Sequence, residues 1–265
     1  ILDASTLGKI EISGKDVVTF LNRVYTNDWS KLDVGKIKYG LILKEDGMVF
    51  DDGTTTRLNE DKYLMTTTTG NAALVLDWLE EWLQTEWPEL DVSLTSVTDH
   101  WAVVTLSGPK SKDVILKLNP EKNNEIENLT FMSYKSIKIL GIECRVFRIS
   151  FTGELSYEIN IPWPYATFLW KKLLEVGKDY NITPYGTETM HVLRAEKGFP
   201  IIGQDTDGTI SPIELGMNSL LSKKDFIGKR SLSRNYESKK YFVGFKTLNP
   251  NIIIPEGSQI FKLDR

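Results

Sequence analysis

The sequence predicts an α+β protein with antiparallel sheets and more than one domain. Stretches that alternate apolar and polar residues are mixed with amphipathic stretches of helical period, without the regular strand–helix order of a parallel sheet. A turn signal at Asp46-Gly47 separates two of the alternating stretches and indicates a hairpin. With 265 residues, of which 41% are hydrophobic, the chain is long enough to bury a core.

The first ninety residues contain the clearest elements. The stretch "ISGKDVVTFLNRVYTND" predicts the end of a strand, a Ser-Gly turn and a helix, followed by the hairpin and by a third strand in "DKYLMTTTT". The stretch "GNAALVLDWLEEWLQTEWPEL" predicts the longest helix, with Asn71 as its N-cap and Pro88 stopping it. Its Trp78 and Trp82 repeat at helical spacing without convergent polar groups, which favours core packing over a ligand site.

The rest of the chain continues the mixture of strands and helices. Strands are predicted in "DVSLTSV", "HWAVVTLSG" and "SYKSIKILGIECRVFRISFTG", and helices in "PKSKDVILKL", "YATFLWKKLLEVGKDY" and "GTETMHVLRAEKG". The last helix is predicted to have Thr187 as its cap and Gly198 as its terminator. The stretches "YFVGFKTL" and "IIIPEGSQIFKL" predict the first strands of a further β unit.

Composition argues against several classes of function. The net charge of -4 gives no basic field for nucleic acid or anionic membrane, and the apolar runs are too short to span a membrane. The single Cys144 fits a reducing compartment, and we expect a cytoplasmic protein. Neither a dinucleotide nor a phosphate loop is present, and His100 and His191 lack ligand partners in sequence, so no metal site is expected. Both ends resemble cuts in a longer polypeptide.

Two stretches carry acidic residues where strands are predicted. "GMVFDDG" places Asp51 and Asp52 side by side, although aspartate is depleted in strands. Because neighbouring strand side chains point to opposite faces, the two carboxylates are expected to have different roles. In "FTGELSYEINIP", alternation places Glu158 and Asn160 on one face and Tyr157, Ile159 and Ile161 on the other.

These two stretches resemble segments of the folate-binding aminomethyltransferase family, typified by the glycine-cleavage T-protein. A third segment, "VLRAEKGFPIIGQDTDGTISPIELGM", resembles another run of that family, and the order and spacing agree along the whole chain. Within the family, the chain resembles the C-terminal half of the alpha subunits of bacterial heterotetrameric sarcosine oxidases more closely still. The segments that carry this likeness are "VYTNDW", "YGLILKEDGMVFDDG", "MTTTTGNA", "LDWLEEWLQTEWP" and "TPYGTETMHVLRAEKGFPIIGQDTDGT".

The resemblance implies a cloverleaf-like aminomethyltransferase fold around a tetrahydrofolate site, with a truncated C-terminal β domain. We expect a discontinuous folate-binding domain in residues 1–55 and 160–225, a central domain in residues 56–159, and the start of the third domain in residues 226–265. The implied partners are other sarcosine oxidase subunits and a small imine substrate. Flavins and NAD are expected only in other parts of such a complex.

The resemblance also assigns roles to individual residues. It implies that Asp51 is the catalytic carboxylate and enters the site, while Asp52 bonds to backbone or faces water. Glu158 is implied to bind the pterin through two adjacent donors. The other implied folate-binding residues are Phe151, Tyr39, Thr68 and Arg194.

The chain departs from the T-protein pattern at several of these positions. Phe151 stands where T-proteins have a tyrosine, and Thr68 lies near the position of an asparagine. Met190 replaces an arginine one helical turn before Arg194, so Arg194 is assigned either to folate or to packing and Glu196.

The implied function is transfer of the one-carbon unit of oxidised sarcosine to tetrahydrofolate, which gives 5,10-methylenetetrahydrofolate. A T-protein-like aminomethyltransferase or a dimethylglycine-oxidising relative is the alternative of the same class. A folate-binding scaffold without turnover is the alternative of another class.

Overall fold

The computed structural model describes residues 1–118, 123–234, 240–255 and 257–261, which form two antiparallel sheets of five strands each. The first sheet has the order β3-β4-β5-β2-β6 and the second has the order β1-β7-β10-β9-β8. The α+β class with antiparallel sheets is therefore confirmed. The strands are β1 Leu2–Asp3, β2 Gly8–Ser13, β3 Ile37–Leu43, β4 Val49–Arg57, β5 Lys62–Thr67, β6 Ser93–Ser96, β7 Trp101–Ser107, β8 Tyr134–Ile139, β9 Ile142–Phe147 and β10 Ser156–Pro162.

Helices cover the outer face of each sheet. One core joins α1 and α2 to the first sheet, and a second core joins α3 and α5 to the second sheet. In the described ranges, no helix is both long and apolar enough to cross a membrane. The helices are α1 Val17–Val24, α2 Ala72–Thr85, α3 Ser111–Leu118, α4 Asn123–Glu127, α5 Ala166–Val176, α6 Thr187–Lys197 and α7 Lys229–Leu232.

The inner faces of the two sheets pack against each other. Ile37 and Leu64 of the first sheet share a core with Phe147 of the second, so the layer between the sheets is partly apolar. Glu11 of β2 and Arg145 of β9 form an ion pair across this layer, with 2.8 Å between Oε1 and Nη2. The polar groups on these inner faces are therefore the candidates for a ligand site.

The ends of the helices correct two details of the sequence prediction. Asn71 occupies the N-cap position of α2, but its side chain makes no capping bond and is used at the site described below. Thr187 is the first residue of α6, and Gly186 precedes it at the cap position. Gly198 ends α6 in the left-handed conformation, with φ 82°, as predicted. The α2 tryptophans are partly buried, and the rings of Trp78 and Trp82 lie 6.0 Å apart.

The described residues after α7 do not form the predicted strands, and residues 256, 262 and 263 of the stretch "IIIPEGSQIFKL" lie outside the described residues. Neither residues 240–255 nor residues 257–261 contain a strand, and Tyr241 and Ile253 are 74% and 90% exposed. A strand pair is marginal in water without further strands or a helix to cover it, which explains the difference. The division into domains 1–55 with 160–225, 56–159 and 226–265 stays a prediction.

Candidate functional site

A pocket between the two sheets collects the polar groups of their inner faces. Residues from β4 and β5 form one wall, and residues in and next to β9 and β10 form the other. The lining residues are Thr54, Thr56, Thr66, Phe147, Ile149, Glu158 and Asn160. Five of these seven residues are polar, so the pocket is a candidate for a ligand that offers hydrogen-bonding groups.

Glu158 is the ionisable group of this pocket. It lies in β10, between Thr105 of β7 and Phe147 of β9 in the register, so a central strand of the second sheet fixes its position. Its carboxylate accepts no hydrogen bond from the described part of the chain. Burial raises the pKa of Glu158 to about 7, and the positive charge of Lys9 opposes this rise. A buried carboxylate that lacks a hydrogen-bond donor is suited to a ligand that offers N–H groups.

Lys9 provides a buried positive charge near this carboxylate. It lies in β2 opposite Thr66, on the inner face of the first sheet, and is 1% exposed. Its Nζ donates to the carbonyl oxygens of Ser5 and Leu7, at 2.9 and 2.7 Å. Burial lowers the pKa of Lys9 to about 8, while the negative charge of Glu158 opposes this change. The Lys9 ammonium therefore favours the ionised form of Glu158.

The two neighbouring aspartates point to opposite faces of the first sheet, but in the opposite sense to the prediction. Asp51 pairs with Ile42, which packs on the helix side, and Asp52 pairs with Leu41, which packs on the inner side. The register shifts between Ile42 and Leu43, so Phe50 is an extra residue in β4. The bulge places Val49 on the face of Asp52, and in this register Asp52 is the aspartate on the inner face. The assignment of Asp51 as the catalytic carboxylate stays a prediction.

Asp52 binds the hydroxyl group of a tyrosine that was assigned to the site. Tyr39 donates its phenolic proton to Asp52 Oδ2 at 2.7 Å. Burial raises the pKa of Asp52 to about 6, and the hydrogen bond from Tyr39 opposes this rise. The pKa of Tyr39 is also raised, by burial first and then by the charge of Asp52, so Tyr39 stays a donor at neutral pH.

Asp51 is fully buried and bonds to the segment that precedes α2. Its Oδ2 accepts from the backbone N–H of Thr68 at 3.1 Å, and its Oδ1 accepts from Nδ2 of Asn71 at 3.2 Å. Burial raises its pKa to about 7, with the hydrogen bond from Thr68 opposing the rise. Asp51 thus makes the backbone contact that had been expected of Asp52, and Thr68 contacts Asp51 through its backbone N–H.

Phe151 and Arg194, like Tyr39, Asp51 and Thr68, are outside the lining of the pocket. The ring of Phe151 stacks on Phe199, with 6.2 Å between centroids and an interplanar angle of 22°. Arg194 is 6% exposed, and its Nη1 donates to the carbonyl oxygen of Phe199 and to Asp205. The described contacts of Arg194 therefore agree with a packing role, in which Arg194 bonds to Asp205 instead of Glu196.

Sequence reasoning missed several polar groups in and near the pocket. Thr54, Thr66 and Lys9 had not been singled out, although they share a face with Asp52 through period-two alternation along β2, β4 and β5. Asn160 had been placed on the face of Glu158 but was given no role. No group of three or more histidine, cysteine or acidic residues suited to a metal ion occurs within the described ranges.

Comparisons with known proteins agree with the resemblance seen in the sequence. The family model for the GCVT N-terminal domain matches residues 1–225. Sarcosine oxidase subunit alpha of Corynebacterium sp. (strain U-96) is 54% identical over 268 residues, which is 99% of this chain and 28% of that protein. The aminomethyltransferase of Caldanaerobacter subterraneus subsp. tengcongensis is 33% identical over 257 residues, which is 95% of this chain and 67% of that protein.

A solved structure shows the same fold. The glycine cleavage system aminomethyltransferase T from Bartonella henselae superposes with a TM-score of 0.76 at 24% identity, over 87% of this chain and 61% of that one. The chain thus spans about a quarter of the length of the sarcosine oxidase alpha subunit that it matches, and about two thirds of the aminomethyltransferase. By these matches, the chain belongs to the aminomethyltransferase family that contains the GCVT N-terminal domain.

Proposed function

We propose that this chain is the tetrahydrofolate-binding part of a sarcosine oxidase alpha subunit. In this role it passes the one-carbon unit of oxidised sarcosine to tetrahydrofolate, and the product is 5,10-methylenetetrahydrofolate. The observation that carries the proposal is the Glu158 carboxylate, which faces a pocket and accepts no hydrogen bond from the described part of the chain. The identity of 54% to a sarcosine oxidase alpha subunit supports the choice of parent protein.

The polar groups of the pocket fit a pterin. The pyrimidine edge of a pterin carries a ring N–H beside an amino group, and one carboxylate accepts both of these donors as a pair. Glu158 provides that carboxylate on a rigid central strand. Lys9 favours its ionised form, which is the form that accepts two donors. Recognition by acceptors alone also disfavours ligands that present a phosphate or carboxylate at this point.

We propose that Asp52 is the carboxylate that assists the transfer of the one-carbon unit. Bound tetrahydrofolate supplies nitrogen atoms that accept a one-carbon unit, and the transfer requires a negative charge beside the developing cation and an acceptor for the released proton. Asp52 lies on the inner face, Tyr39 orients it through a hydrogen bond of 2.7 Å, and its pKa of about 6 leaves it largely ionised at neutral pH. Asp51 positions the segment before α2 rather than contacting the ligand.

The wider setting also belongs to the proposal. Other oxidase subunits would be the partners of this chain, an imine from sarcosine would be the substrate, and the cytoplasm would be the location. Flavins and NAD would bind elsewhere in the complex.

The experiment that tests the proposal is a calorimetric titration of tetrahydrofolate. Glu158→Ala leaves two ligand donors unpaired, which costs about 1.5–3 kcal/mol and weakens binding roughly ten- to hundredfold. Glu158→Gln is expected to recover little, because its amide offers one acceptor and a misplaced donor. Glu154→Gln, on an exposed residue four positions earlier, is the matched control and should bind as the wild type does.

Two outcomes would overturn the proposal. Wild-type protein that does not bind tetrahydrofolate would remove its basis, and unchanged affinity in both Glu158 variants would remove the site. Binding without a folate-dependent product in the assembled oxidase would favour the scaffold alternative.

A further inference from the structure

We propose that Asn160 is a second acceptor for the ligand and that it binds the N–H of the pterin amino group that Glu158 leaves free. This inference rests on the proposed function and adds a specificity-determining residue to it. Asn160 is 3% exposed and lines the pocket with Glu158. Its Oδ1 has no hydrogen-bond partner in the described ranges, which makes it a buried acceptor without a donor.

An unpaired buried acceptor of this kind is costly in a folded protein. Leaving one unsatisfied costs about 1–3 kcal/mol, and such groups are rare enough that each one calls for a reason. Thr54 and Thr66 offer no remedy, because their hydroxyl groups lie 2.9 Å apart and Thr66 Oγ1 also donates to the carbonyl oxygen of Thr54. A donor supplied by a ligand would satisfy Asn160 Oδ1 on binding.

The position of Asn160 matches the geometry of an amino group held by Glu158. Residues two apart in a strand share a face and lie roughly 6.6 Å apart along it. When a carboxylate accepts the ring N–H and one amino N–H of a pterin, the second amino N–H points away from that carboxylate. Asn160 comes two residues after Glu158 on the same inner face, so a pterin whose amino group points towards residue 160 would present its second N–H to Asn160.

A structural role for Asn160 is the competing explanation. Asn160 pairs with Arg145 in the register, and Nη1 of Arg145 is also buried without a partner. A water molecule between these two atoms would satisfy both, and Asn160 would then support the Glu11–Arg145 ion pair instead of the ligand. The two explanations differ in whether the effect of Asn160 depends on the ligand's amino group.

The test compares two ligands on the wild type and on Asn160→Leu, with Asn160→Ala as a second variant if the leucine does not fit. Calorimetric affinities are measured for tetrahydrofolate and for its 2-desamino-2-methyl analogue, which lacks the amino group. We expect Asn160→Leu to weaken tetrahydrofolate binding roughly five- to hundredfold, while the analogue binds the wild type and the variant equally. Melting curves establish that each variant is folded.

Each other outcome has a definite meaning. An equal loss for both ligands would assign Asn160 a structural role and overturn the inference, as would no loss for either ligand. In both of these cases the proposed function stands, provided that binding still depends on Glu158. Wild-type protein that does not bind tetrahydrofolate overturns the proposed function and this inference together.

Discussion

Replacing Glu158 with glutamine is expected to stabilise the ligand-free protein above pH 7, although it weakens tetrahydrofolate binding. Burial raises the pKa of Glu158 to about 7, compared with an ordinary value of 4.5. Above pH 7 the folded protein therefore holds an anion that its surroundings disfavour, whereas water solvates the same anion in the unfolded chain. Glutamine keeps the shape of the side chain and carries no charge, so it removes this cost.

The size of the effect follows from the two pKa values. Each pH unit between them corresponds to about 1.36 kcal/mol, so the difference between about 7 and 4.5 sets an upper bound of about 3 kcal/mol. Partial exposure of the Glu158 side chain to water reduces this cost. We therefore expect Glu158→Gln to raise the free energy of unfolding by about 1–2 kcal/mol. Since the folded pKa is the higher one, the wild type loses stability as the pH rises from 4.5 to 7. The advantage of Glu158→Gln is therefore absent near pH 4.5 and develops fully by about pH 7.

Urea unfolding of both proteins at pH 5, 6, 7 and 8.5 measures this difference in the free energy of unfolding. Asp51 and Asp52 also titrate in this range, but they are present in both proteins and cancel in the comparison. Glu81→Gln, on an exposed position of α2, is the control and should show no pH-dependent gain. The reasoning is refuted if Glu158→Gln is less stable than the wild type at pH 8.5, or if its advantage is the same at every pH.

Three further predictions concern the charged groups around the pocket. Asp52→Asn should keep tetrahydrofolate affinity but lower methylene transfer about 10²–10⁴-fold, so that an assembled oxidase releases formaldehyde; a folded variant with normal product would contradict this. Asp51→Ala should lose about 1–3 kcal/mol of stability in urea while keeping affinity, and the reverse pattern would assign Asp51 to the ligand. Lys9→Met should weaken binding at pH 7 but not at pH 9, because the lost charge raises the pKa of Glu158; an equal loss at both pH values would indicate a structural role.

Much of the fold was predictable because it depends on local patterns. The hairpin turn at Gly47 has φ 87°, a conformation that suits glycine, and α2 covers most of the stretch with helical period. The alternation in β10 also predicted its two faces correctly. Tyr157, Ile159 and Ile161 are buried in the core with α3 and α5, while Glu158 faces the pocket.

The orientation of the aspartates was not predictable from the sequence. Alternation alone places Val49 and Asp51 on one face, but the bulge at Phe50 places Val49 with Asp52. The bulge depends on how β4 pairs with β3, which is information that the residues of β4 do not contain. The strands predicted after residue 240 are absent from residues 240–255 and 257–261 for a related reason, since a strand needs a partner that local sequence does not specify.

The way the N-terminal segment connects the two sheets has a consequence for folding kinetics. β1 belongs to the second sheet and β2 to the first, and the connection between them is anchored where the backbone N–H of Val103 donates to Ser5 Oγ, 98 residues away. The Glu11–Arg145 pair across the layer joins residues 134 positions apart. Contacts of such long sequence separation form slowly, because a large loop must close before they contribute. We therefore expect the local hairpins of each sheet to form early and the pocket between the sheets to be among the last parts of the molecule to assemble.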